Sequence, residues 1–160
     1  MEPALVHEPE QVTPAWLTEV LRHAGAIGTD ASVAAFDPTV IGTGQVGANV
    51  RYALDYEGPP GPRSVVAKFS SRDPASAAAG IATRTYETEV GCYRELADTV
   101  DVSRPTCYFA AIEPGTANVV LVLEDLAPAE QGDQIAGCTA GARSSSSSTN
   151  SLPDSETTVA

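Results

Sequence analysis

Three glycines, Gly42, Gly44 and Gly47, stand at the spacing G-x-G-x-x-G in the run from Val40 to Asn49, and no other stretch restricts the fold as strongly. Glycine lets backbone N–H groups approach phosphate oxygens closely, and two unrelated folds use this spacing for that purpose. They differ in what comes next, because the dinucleotide-binding version must open a helix. Here Val50, Tyr52, Leu54 and Tyr56 alternate with Asn49, Arg51, Ala53 and Asp55, which is the period of a strand. Glu57 to Pro62 holds two glycines and three prolines and reads as a turn. Ser64 to Phe69 then resumes as an apolar strand with Lys68 near its end. The pattern predicts a hairpin whose glycine loop covers an open cleft.

The flanking segments supply the other elements. Thr13 to Gly25 reads as a helix with Thr13 as its N-cap, Pro14 at the first helical position and Gly25 beyond its end. Trp16, Leu17, Val20 and Leu21 share one face, so this helix is expected to lie against the sheet. Ala31 to Ile41 is a strand candidate that Asp37-Pro38 should bend or bulge. Ser71 to Asp98 has helical composition, with Tyr86, Glu89, Val90, Tyr93, Leu96 and Ala97 at three- and four-residue intervals. Glu89 therefore falls on the apolar, inward face, whereas Glu87 shares a face with Arg84 and Arg94 and should meet solvent. A carboxylate on a buried face needs a cation to offset its desolvation, and Lys68 is the available one. Pro105 to Ile112 reads as a strand, and Asn118 to Leu123 as a central, buried strand that ends abruptly at Glu124-Asp125-Leu126.

Composition narrows the partners. Nine Lys plus Arg against 21 Asp plus Glu leave a net charge of −12, which argues against a nucleic-acid backbone or an anionic membrane as partner. Any phosphate must be held locally. Cys92, Cys107 and Cys138 are odd in number and lack metal-ligand spacing, as expected of reduced thiols in a cytoplasmic protein. No signal-peptide pattern and no run long enough for a membrane span is seen. Residues 1–138 are expected to form one domain. The serine-rich residues 139–160, with almost nothing apolar to pack, are expected to be a disordered tail.

Taken together, these segments resemble the N-terminal lobe of the aminoglycoside phosphotransferase and choline-kinase-like family of small-molecule kinases, over roughly residues 10 to 138. Thr-Pro-Ala-Trp-Leu at 13–17, Gly-Thr-Gly-Gln-Val-Gly at 42–47, Val-Ala-Lys at 66–68, Glu-Val-Gly-Cys-Tyr-Arg-Glu-Leu at 89–96 and Leu-Glu-Asp-Leu at 123–126 carry the resemblance. It implies an α+β, protein-kinase-like N-lobe: an antiparallel sheet with an N-terminal helix and one helix packed beside the lysine-bearing strand. ATP is the cofactor implied, with Gly42, Thr43, Gly44, Gln45 and Gly47 over its phosphates. Lys68 would contact the α- and β-phosphates, Glu89 would orient that lysine, and Glu124 to Leu126 would be the hinge that holds the adenine edge.

The family also uses a catalytic-loop Asp and a second Asp that carries Mg²⁺, both from a C-terminal lobe after the hinge. Neither motif follows Leu126, so no catalytic residue and no metal ligand is assigned, and Mg²⁺ is expected only with that lobe. The chain reads as a fragment or truncated product, inactive alone, with the hinge side of its sheet exposed and available for association. Two other classes fit the same segments: a non-catalytic nucleotide-binding or regulatory module, and a small α+β protein with no nucleotide.

Overall fold

A computed structural model describes residues 2–41, 47–96, 99 and 104–128. Contacts divide the chain into two compact units, Met1–Asp125 and Leu126–Ala160. The first unit is α+β and holds every helix and strand discussed below; the second is described only at its start, and the tail expected at 139–160 lies outside the described residues.

Five strands form one antiparallel sheet in the order β1-β2-β3-β5-β4: β1 (Ser32–Val40), β2 (Gly47–Glu57), β3 (Ser64–Ser70), β4 (Cys107–Ile112) and β5 (Val119–Glu124). The excursion between β3 and β4 carries the chain to the far edge, and β5 returns to fill the gap. The five apolar residues Val119–Leu123 of β5 are all buried, as a central strand covered on both faces requires. Residues 48–56 are strand, so the helix that a dinucleotide-binding turn would need there is absent.

Helix α1 (Pro14–His23) begins as its sequence dictates. The Thr13 hydroxyl accepts the Trp16 N–H at 3.1 Å, and Pro14 takes the first position, where a missing N–H costs nothing. Trp16, Leu17, Val20 and Leu21 are buried against Val50, Tyr52, Val65, Ala67, Phe69, Val120 and Val122 of the sheet. A buried polar tie adds direction to this apolar contact: the Val33 N–H donates to Thr18 Oγ1 at 2.9 Å.

Two expectations are corrected. The irregularity of β1 falls at Ala34, between the pairs Val33–Tyr56 and Ala35–Asp55, and Asp37 and Pro38 stay in register opposite Ala53 and Tyr52. Pro38 is tolerated because β1 is an edge strand, where a missing N–H need break no ladder bond. The single helix expected over Ser71–Asp98 is instead two, α2 (Pro74–Ala82) and α3 (Thr85–Gly91), followed by a π-helical turn at Cys92–Leu96. Arg84 makes the break, with a left-handed φ of 56°. Gly80 explains why the chain doubles back: a Cβ there would lie 2.4 Å from the Tyr86 ring, so only glycine lets α3 fold this closely onto α2.

Candidate functional site

Alternation along β2 and β3 sorts their side chains onto two faces. Val50, Tyr52, Val65, Ala67 and Phe69 face α1, while Asn49, Arg51, Val66 and Lys68 face the other way. On that second face Tyr86 and Val90 of α3 pack with Leu121 and Leu123 of β5. Lys68 is opposite Asn49 on β2 and Leu121 on β5. The apolar seam of α3 thus places Glu89, one position before Val90, beside Lys68. The two form the expected ion pair and hydrogen bond, Lys68 Nζ donating to Glu89 Oε1, although Glu89, 32% exposed, is no more buried than Glu87 at 31%.

Its exposure bears on what this pair can do. The lysine and glutamate side chains are 35% and 32% exposed, so an anion can reach the ammonium without unfolding the lobe. An ammonium has three N–H donors, and Glu89 takes one of them. The same carboxylate adds to burial, the larger cause, in pushing the Tyr93 phenol above its usual range. Glu87, by contrast, pairs with Arg84 at 2.7 Å and accepts the Gly115 N–H at 3.3 Å; these two bonds hold its carboxyl below the usual range. It ties α3 to the β4–β5 turn and takes no part in the lysine site.

Asp125 lies within the expected hinge, Glu124 to Leu126, but no role was expected of its side chain. Its side chain is 4% exposed and accepts Arg51 Nε at 2.6 Å, Arg51 Nη2 at 3.0 Å and the Ser64 hydroxyl at 2.6 Å. This clamp pins the end of β5 to β2 and β3, and the carboxylate holds the Arg51 guanidinium above its ordinary pKa. Glu124 is also engaged close to home, accepting the Thr106 N–H at 3.0 Å and the Thr106 hydroxyl at 2.9 Å, bonds that hold its carboxyl below the usual range. Leu126 belongs to the second unit.

Gly42, Thr43, Gly44 and Gln45 lie outside the described residues. Gly47 opens β2 opposite Ser70, where a Cβ would come within 2.2 Å of the Phe69 carbonyl oxygen. Close approach of β2 to β3 is therefore one reason for glycine at this position, independent of any phosphate.

Two cavities lie away from the lysine pair. One of about 560 Å³ is lined by Val12, Phe36, Pro38, Val50 and Tyr52, with the Glu10–Arg72 ion pair at its edge. A second of about 470 Å³ adjoins Glu10, Ala48, Phe69, Ser70 and Arg72. Neither is lined by Lys68 or Glu89. Among the described residues no three His, Cys, Asp or Glu side chains gather to hold a metal ion. No helix among them is long and apolar enough to cross a membrane. Comparison with protein-family models, with curated proteins and with solved structures found no match to this chain.

Proposed function

We propose that this chain is the N-terminal lobe of an ATP-dependent small-molecule phosphotransferase, a hydroxyl kinase of the aminoglycoside phosphotransferase and choline-kinase-like kind. The observation that carries this reading is the Lys68–Glu89 ion pair: a part-exposed ammonium on the third strand, held by a carboxylate from the helix that follows. Support comes also from an antiparallel sheet that receives the glycine-rich segment between its first two strands.

In this role Lys68 neutralises charge on the α- and β-phosphates, and Glu89 keeps the ammonium from swinging into solvent. ATP supplies the phosphoryl group when bound. Phosphoryl transfer depends on positioning and charge neutralisation more than on covalent help, so a held ammonium and a glycine cover are the parts a nucleotide-gripping lobe needs. Activation of the acceptor hydroxyl and binding of Mg²⁺ fall to a C-terminal lobe, which also selects the acceptor. The lobe alone binds ATP weakly and transfers no phosphoryl group.

An ATP titration of the 160-residue chain and of Lys68→Ala tests this. Weak saturable binding that falls about tenfold on Lys68→Ala is expected, the scale of one hydrogen bond from a charged donor. Equal affinity of both proteins would overturn the assignment of Lys68, and turnover by this chain alone would overturn the division of labour between lobes.

A further inference from the structure

Asn49 carries an unexplained feature. Its side-chain oxygen Oδ1 is shielded from solvent and has no hydrogen-bond partner, the one such side-chain atom found among the described residues. A buried acceptor left unpaired is costly, and natural structures keep few of them. Asn49 sits directly opposite Lys68 across β2 and β3, so the two side chains rise from the same face of the sheet. The ammonium of Lys68 donates to Glu89 and has two further N–H groups.

We propose that Asn49 is a positioning residue for Lys68, a second seat whose Oδ1 accepts an ammonium proton when a nucleotide phosphate is bound. This rests on the nucleotide reading above. In the ligand-free lobe the carboxylate of Glu89 draws the ammonium toward α3, the stronger of the two acceptors because it is charged. A phosphate arriving at the exposed side takes a share of the ammonium's charge from Glu89 and loosens that bond, which lets the ammonium turn a remaining N–H toward Asn49. There the three N–H groups meet three acceptors: Glu89, Asn49 Oδ1 and a phosphate oxygen. With two of the three directions set by the protein, the third is aimed at the ligand. Asn49 thus lowers the stability of the empty lobe and orients the lysine in the filled one.

The substitution Asn49→Leu removes the acceptor and nearly keeps the side-chain volume. ATP affinity, melting temperature and the ¹H–¹⁵N signal of the Lys68 ammonium are read on the full chain. Expected are affinity about tenfold below the parent, a melting temperature unchanged or raised, and an ATP-dependent Lys68 ammonium signal that is sharp in the parent and broadened by proton exchange in the variant. Unchanged affinity overturns the inference, as does a lower melting temperature, which would give Asn49 an ordinary structural role. An ammonium signal equally sharp in both proteins also overturns it. Where Lys68→Ala weakens ATP binding and Asn49→Leu does not, the nucleotide reading survives and this inference falls. If ATP has no effect on the parent protein, both fall.

Discussion

The two faces of the sheet are built from the same strands and differ in almost everything else. Beneath α1 the packing is mainly apolar: Trp16 meets Phe109 edge to face at 6.0 Å, and Leu17, Val20, Leu21, Val65, Val120 and Val122 have essentially no exposed surface, while Thr18, Trp16 Nε1 and Arg22 add hydrogen bonds to backbone groups at Val33, Ala4, Thr29 and Ala31. On the opposite face an apolar patch under α3 shares its ground with Arg51, Ser64, Asp125, Lys68, Glu89 and the orphaned oxygen of Asn49. The α1 face carries the larger apolar core, and the α3 face holds part-exposed charge in fixed pairs.

Substitutions on the two faces should separate these roles. Leu17→Ala, at a fully buried position of α1, is expected to cost about 2–5 kcal/mol in denaturant unfolding through lost transfer energy and the cavity left behind. Asp125→Ala is expected to cost less, about 1–3 kcal/mol, because it strips the Ser64 hydroxyl and the part-exposed Arg51 of their shared acceptor. If the second loss exceeded the first, the clamp and not the α1 core would be the main prop of the sheet.

Cys107 sharpens the comparison from the apolar part of the α3 face. Burial, the main cause, pushes its thiol from an ordinary 9.0 up to about 11. The buried form is thus the neutral one. The unfolded chain loses this proton first as pH rises, so the contribution is intact below pH 9.0 and declines between there and about 11. Tyr52 and Tyr56, each pushed up to about 12 by burial, add an alkaline loss of their own, so the measurement is the difference between the parent and Cys107→Ala. A shallower decline is expected in the variant. In a Cys138→Ser background, iodoacetamide at about pH 8 should label the exposed Cys92 and spare Cys107. Equal labelling of the two would mean that the patch under α3 opens readily.

Elements written in local chemistry were legible in the sequence. Thr13, Pro14 and Gly25 mark both ends of α1, strict alternation marks β2, and the unbroken apolar run marks β5 as central. The Lys68–Glu89 pair was legible from helical phase, which sets Glu89 beside Val90 on the side of α3 that meets β3, and not from burial, since Glu87 and Glu89 are about equally exposed. What escaped depends on how particular side chains and strands fit against one another, whether near or far in the chain. The break at Arg84 follows from the fit of the Tyr86 ring against Gly80, which no periodicity encodes. The bulge at Ala34 is likewise a matter of pairing between strands, and Pro38 drew attention to the wrong residue. The Asp125 clamp depends on partners 74 and 61 positions away, which no local pattern brings beside it.

On the function proposed above, the α3 face receives the nucleotide and the α1 face only supports it. Backbone amide chemical shifts of the ¹⁵N-labelled chain, followed through an ATP titration, test this most directly. Perturbations are expected to cluster at Asn49, Arg51, Lys68 and Glu89 and to spare Leu17, Val20 and Leu21. Perturbations confined to Val12, Phe36 and Tyr52, around the cavity on the α1 side, would contradict it, as would a spectrum that ATP leaves unchanged.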